Sequence, residues 1–381
     1  MVIPILYATL LGALSVYSYV LQDGNITFFN NSLWTTFRNA AVELGYHQRA
    51  TSWSIFLGIL ILLFAFHWYC IKRAKKINPV KLALLISGIL VFSYPLLSHD
   101  FFNYMFDAKI LTYYHQNPYF HQALDYPSDP WIRFMHWVHR PYPYGPVFLA
   151  VTVVPAFLGM GKFVIHFFLL KATTALFYFI SVYFLAKIDK KQALFFATQP
   201  LVIIEGLVSG HNEIIGLGFA FAGIYYILNK PAWKGRVLMV LSALVKYMTA
   251  SFLIIVHPKL KWAKWINVVA FIGTVGLILY PSYTVEIQSW YFLNLLLFVV
   301  LYPNFIQRLQ IFFAGLLLSY YPYVMLGGWD SDYKIDLKHQ IILGGFVLNA
   351  LYLLFIYGKP LLLRFSRGGT LSSKEHTSSR K

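Results

Sequence analysis

Residues 52–71 read SWSIFLGILILLFAFHWYCI, and residues 72–76 read KRAKK. Twenty residues without a charge are enough for an α-helix to cross a hydrocarbon core of about 30 Å at about 1.5 Å of rise per residue. A basic cluster directly after such a run marks its cytoplasmic end. Comparable runs recur along the chain, at 2–22, 80–98, 163–186, 193–209, 213–229, 266–280, 290–301, 310–326 and 341–357. The composition agrees. Of 381 residues, 59% are apolar and 12% charged, against roughly a quarter charged in soluble domains. So few charges do not cover a water-soluble globule, and so much apolar material excludes intrinsic disorder. The chain reads as an all-α polytopic membrane protein of about ten transmembrane helices.

The charges set the orientation. A net charge of +17 suggests a nucleic-acid partner only until the charges are placed, because they lie in short loops between apolar runs. Lys72–Lys81, Lys187–Lys191, Lys230–Arg236, Lys259–Lys264, Arg308 and the tail from Lys359 hold 21 of the 31 basic residues, with only Asp189 and Glu375 as acids. That side is expected to be cytoplasmic, both termini with it. Eleven of the fourteen acids fall on the other side, so the chemistry is expected to be extracytoplasmic. Two runs need special handling. Residues 146–160 are too short to span and read as an interfacial or re-entrant helix on the outer face. Residues 237–257, basic at both ends and with Lys246 in the middle, read as a broken hairpin entering from the cytoplasm. The first run lacks a basic start and a small-residue cleavage site, so it reads as an uncleaved span. The single cysteine, Cys70, excludes a disulfide framework. Residues 1–366 form one membrane domain in this reading, with a long outer loop at 99–162, and 367–381 a basic, disordered cytoplasmic tail.

The outer loop carries the chemistry. Residues 98–146 read SHDFFNYMFDAKILTYYHQNPYFHQALDYPSDPWIRFMHWVHRPYPYGP. If residues 100–113 are helical, Asp100, Tyr104 and Asp107 share one face, with the two carboxylates about 10 Å apart. A carboxylate beside a low-dielectric boundary has its charged form disfavoured, which suits a proton acceptor. The residues alone leave a second reading for Asp100, a cap on the helix that follows it.

Three segments in order resemble a known family. They are Ser98-His99-Asp100-x-x-x-Tyr104 with Asn117-Pro118-Tyr119, then Tyr144-Gly145-Pro146, then Gln199-Pro200-Leu201 with Glu205 and Gly210-His211-Asn212-Glu213. Together they resemble polyprenyl-phosphate-sugar-dependent glycosyltransferases of the GT-C fold, most of all the α-mannosyltransferases that use polyprenyl-phosphate mannose. Gln199 and Glu213 stand where that family carries Asn and Asp. The resemblance covers residues 90 to about 260, and the family varies in sugar and acceptor. It implies a GT-C-like bundle with a long outer catalytic loop and interfacial helices, in the plasma membrane. A hexosyl group, mannose in the nearest members, would pass from a polyprenyl-phosphate donor to a hydroxyl of a lipid-linked or cell-envelope glycan. One carboxylate acts as base in a single inverting displacement, by analogy with inverting glycosidases, so that a β-linked donor gives an α-linked product. Asp100 is the expected base and Asp107 the second candidate.

The departing phosphate needs cations. Arg140 offers a guanidinium fork, with an ordinary surface arginine as the bland alternative. Lys171 and Lys246 are the two basic residues inside apolar runs, and intramembrane charges are functional suspects by default. Lys171 can instead pair with Glu205 for purely structural reasons, and Lys246 can snorkel from a hairpin tip. His99, Tyr104, Tyr144, Glu205, His211, Asn212 and Glu213 are the expected sugar- or acceptor-binding residues, although the 211–213 segment also suits a helix start. Trp131, Trp137, Tyr113, Tyr114, Tyr119, Tyr142 and Tyr144 read residue by residue as an interfacial belt, with sugar stacking by some of them as the second reading. No cofactor is expected. His136-x-x-His139 has spacing adequate for a metal pair, but carboxylates in Asp-x-Asp spacing are lacking. Two other classes fit many spans with buried charge, a transporter or flippase of lipid-linked saccharides and a noncatalytic lipid-binding scaffold.

Overall fold

The computed structural model describes residues 2–368, which are helical with no strand among them. The fold is thus an all-α polytopic membrane protein. The helices are α1 (Val2–Tyr17), α2 (Ser32–Val42), α3 (Arg49–Lys72), α4 (Pro79–Leu90), α5 (Asp100–Thr112), α6 (Pro146–Gly159), α7 (Phe163–Ile188) and α8 (Lys190–Thr198). They continue with α9 (Glu213–Asn229), α10 (Ala232–Ala243), α11 (Ala263–Thr284), α12 (Pro303–Ile306), α13 (Gln310–Leu318), α14 (Tyr321–Met325) and α15 (Asp332–Gly368). Of the tail expected from 367, residues 369–381 lie outside those described.

Five helices are long and apolar enough to cross a bilayer among the described residues: Pro4–Leu21, Arg49–Lys72, Phe163–Ile188, Ala263–Tyr283 and Asp332–Gly358. The other expected spans are built from shorter pieces, and prolines account for most of the breaks. Pro95 follows α4, Pro200 follows α8, and Pro322 separates α13 from the end of its run. Pro95 and Pro200 restrict the residue before them to extended backbone, whereas Pro322 lies in the first turn of α14 and removes a helical donor there. The run 290–301 is instead a 3₁₀ segment, Ser289–Val299. The run 193–209 continues past Pro200 as a π-helical turn, Val202–Val208, which meets α9 at 111°.

That bend is made possible at Gly210. Its φ is +74°, a left-handed value, and a Cβ there would sit 2.7 Å from the Phe101 ring. The freed carbonyls find a partner in Lys171. Its Nζ donates to Leu207 O (2.5 Å), Val208 O (2.9 Å) and Ser93 Oγ (2.9 Å). In hydrocarbon an unpaired backbone carbonyl costs several kcal/mol, so a broken span needs such a donor. The Lys171–Glu205 pair anticipated from the sequence is therefore not made.

The run 237–257 forms two legs, α10 and the 3₁₀ segment Tyr247–Ile254. Arg236 closes their base, donating to Leu253 O and Ile255 O at 2.7 Å each. At the other end the tip meets the start of α6: Gly145 N donates to Val245 O (3.1 Å) and Val147 N to Leu244 O (3.2 Å). Lys190 Nζ reaches Lys75 O at 3.0 Å, so the ends of α3 and α7 lie together. The Arg236 bonds likewise place the start of α10 beside residues 253–255, just ahead of Lys259.

Gly145 allows the contact between tip and loop, since a Cβ there would lie 1.9 Å from Leu244 O. Gly145→Ala should separate the hairpin tip from α6 and lose both backbone bonds. We expect a loss of about 2–3 kcal/mol, seen as a lower midpoint of thermal unfolding in detergent. An unchanged midpoint would show that the tip is not held there.

Candidate functional site

Asp100 is the first residue of α5, where a carboxylate is favoured by the helix dipole. It is not a cap. The cap position is His99, and Asp100 Oδ1 accepts from Trp137 Nε1 at 3.0 Å rather than from a backbone amide of its own helix. The same indole carries Arg140, whose guanidinium carbon lies 4.7 Å from the ring centroid, a cation–π contact. Asn103 Nδ2 donates to Trp137 O at 3.3 Å and fixes the loop segment that presents both. Arg140 makes no hydrogen bond or ion pair among the described residues. A half-buried guanidinium with all its donors open is ready for an anion.

Asp107 lies two turns along α5 and is 7% exposed. Burial pushes its carboxyl up to about 8, with Arg140 pulling down and Asp100 pushing up. The two carboxylates thus differ: Asp100 is half-buried and holds an indole N–H, whereas Asp107 is enclosed and neutral at pH 7. Burial pushes the His99 imidazole down to about 3, helped by His136, which stacks on it at 3.9 Å between centroids. His139 meets the Trp137 ring edge-on at 6.2 Å between centroids, so the two imidazoles of His136-x-x-His139 have different ring partners.

Opposite stand the start of α9 and the hairpin tip. Lys246 Nζ pairs with Glu213 Oε1 at 2.5 Å and donates to Asn212 Oδ1 at 3.4 Å. It lies 4.9 Å from the Tyr291 centroid and 5.9 Å from that of Tyr144. It neither snorkels to water nor stands free for phosphate. Tyr104, 2% exposed, meets Tyr144 and Phe148 edge-on at 5.3 and 4.9 Å. Tyr104 is within electrostatic range of both Asp100 and Glu213, and Tyr291 of Asp100, Glu213 and Arg140. The structure therefore brings Asp100, Asp107, Arg140, Tyr104, Tyr144, Asn212, Glu213 and Lys246 together.

Lys171 and Glu205 fall elsewhere. Lys171, proposed from its sequence position as a phosphate ligand, is 1% exposed and fully used by the carbonyls of the π-turn, so it is a structural cation. Glu205 is fully buried beside His211, Oε2 to Nε2 3.4 Å, and His211 stacks on Trp290 at 4.0 Å. Both Glu205 carboxylate oxygens and both His211 ring nitrogens are buried without a hydrogen-bond partner among the described residues. Loop residues 113–135 are held by Lys109 and Asp129, paired at 2.5 Å, with Tyr114 donating to the same carboxylate oxygen at 2.6 Å. Trp137, Tyr291 and Trp290 are the participants that sequence reasoning did not single out. Trp137 was indistinguishable from belt aromatics, and Trp290 lies far along the chain from His211 with no pattern linking them.

A helical membrane protein that sets a carboxylate beside an open guanidinium among aromatic faces has the parts of a membrane glycosyltransferase. A family model described as alpha-(1->6)-mannopyranosyltransferase, N-terminal domain, matches residues 6–263, and the chain belongs to that family. It is a mannosyltransferase, and so a hexosyltransferase, which sets aside the transporter and scaffold alternatives. No curated protein and no solved structure matches it.

The Asp107 carboxyl gives a pH test. Its folded value of about 8 stands above its ordinary 3.8, so the folded state holds the proton more tightly. The resulting stabilisation is complete below about pH 4 and is lost as pH rises through about 8, by up to about 1.4 kcal/mol per unit. Asp107→Asn, neutral throughout, should flatten that decline in unfolding midpoints taken from about pH 5 to 9. Parallel profiles for wild type and variant would contradict the burial of an unpaired carboxyl.

Proposed function

We propose that the chain moves mannose from a polyprenyl-phosphate donor to a hydroxyl of a lipid-linked or cell-envelope glycan, at the extracytoplasmic face of the plasma membrane. The observation that carries this reading is Trp137. One indole holds Asp100 by its N–H and Arg140 by its face, so a base and a phosphate ligand stand side by side.

The chemistry follows from that pairing. The acceptor oxygen attacks the anomeric carbon, the carbon–oxygen bond to phosphate breaks, and the acceptor proton passes to Asp100. The phosphate leaves with the bonding electron pair and gathers charge against the Arg140 fork. A single displacement inverts the anomeric centre. Asp107 does not compete as base, because it is already protonated near neutral pH; it can donate a hydrogen bond to the phosphate instead. Tyr144 and Tyr291, both half-buried, offer ring faces to a sugar, and the Glu213–Lys246 pair offers an acceptor and a donor to its hydroxyls. The placement is supported by charge, since 21 of the 31 basic residues fall in segments away from this site.

Transfer of label from polyprenyl-phosphate mannose, in membranes expressing the wild-type chain or Asp100→Asn, tests the reading. The amide keeps the shape and removes the base. Transfer should fall by at least about 100-fold with expression intact. A variant that keeps pace would place the base elsewhere, and a wild type that moves no label would exclude this donor.

A further inference from the structure

Away from the transfer site, α7, α9 and α10 enclose an apolar groove of about 510 Å³. Its walls include Phe177 and Phe184 of α7, Ala222 and Tyr226 of α9, and Trp233 and Val237 of α10. Within the lining stands one charged group, Lys234. A second ammonium borders it: Lys187 Nζ lies 4.4 Å from the Tyr183 centroid, 5.9 Å from that of Phe184 and 5.6 Å from that of Tyr225. Neither lysine pairs with a carboxylate among the described residues. Trp233 is 65% exposed beside Lys234, whose Nζ is 5.7 Å from its ring.

Apolar walls of this kind are covered by hydrocarbon, and two ammonium groups at one end, neither with a carboxylate partner, call for an anion. One amphiphile meets both demands. Its location separates it from the donor. Phe163, at the start of α7, packs on Trp131 and Phe102 of the loop end, at 5.5 and 6.3 Å. Phe177 and Phe184 lie about 21 and 31 Å farther along the helix. A phosphate held by Lys187 and Lys234 therefore cannot also meet Arg140. We propose that this groove is a binding site for an anionic glycerophospholipid, its acyl chains against Phe177, Phe184 and Val237 and its phosphate between Lys187 and Lys234. The assignment does not depend on the transferase reading.

Native mass spectrometry of the purified full-length chain tests it, with phosphatidylglycerol or phosphatidylcholine of identical acyl chains added back after delipidation. Wild type should retain phosphatidylglycerol preferentially, by about five-fold for each lysine engaged. Lys187→Gln with Lys234→Gln should abolish the preference, while Lys261→Gln with Lys264→Gln, on the same basic side but outside the groove, should leave it. Val237→Trp, at a position 49% exposed, fills the groove without entering the core and should lower retention of both lipids. Equal retention by wild type, or a preference that survives loss of Lys187 and Lys234, would overturn the proposal. So would undecaprenyl phosphate displacing phosphatidylglycerol at equal concentration, which would make the groove a carrier-lipid site.

Discussion

A chain that breaks a helix where little water reaches must supply the hydrogen bonds that the break removes. Here the break is the π-turn at 202–208, and the supplier is Lys171, reaching from α7 to two of its carbonyls and to Ser93. The rest of the site hangs from this cap. With it, the chain can turn at Gly210 against Phe101, and α9 starts at Glu213, facing the hairpin tip. Without it, the run would have to straighten, Glu213 would be carried away from Lys246, and Gly210 would lose its contact with α5. A buried lysine that is expensive to place thus fixes the geometry of carboxylates and aromatics that it never touches.

Around that frame the charges are graded by exposure. Glu205 and His211 are the most deeply buried, with His211 stacked on Trp290. Glu213 and Lys246 neutralise each other at the next level, with Tyr144 and Tyr291 against the ammonium. Asp100 and Arg140 are the half-buried pair that share a partner, Trp137, without contacting each other, which keeps one available as a proton acceptor and the other as an anion ligand. Asp107 shows what the neighbouring position becomes when solvent is withdrawn: the same side chain, neutral at pH 7.

Much of this was legible in the chain. Asp100 at the edge of an apolar run, Arg140 before the Tyr-Gly-Pro turn, and Glu213 after a Gly-His-Asn step are local patterns, and local patterns survive without a fold. Lys171 was misread because a buried cation announces a need for partners but not which ones; three backbone and hydroxyl oxygens were as possible as a phosphate. Asp100 was open to reading as a cap because the indole that engages its side chain is distant in sequence. Tyr291 and Trp290 come from a stretch beyond residues 6–263, the family match, where only apolar content was visible. Hydropathy also overstated the number of long helices. It registers apolar runs and not where Pro95, Pro200 and Pro322 interrupt them, so several expected spans are made of short pieces.

The central claim is that the guanidinium carried on Trp137 receives the phosphate of the lipid donor. Equilibrium binding of a polyprenyl phosphate to the purified full-length chain, wild type against Arg140→Gln, measures it without requiring turnover. The account predicts affinity weaker by at least about ten-fold in the variant, with the elution volume unchanged, because the contact that Arg140 makes with the Trp137 ring is lost without breaking a hydrogen bond or an ion pair. Equal affinity in a folded variant would contradict it and place the phosphate elsewhere.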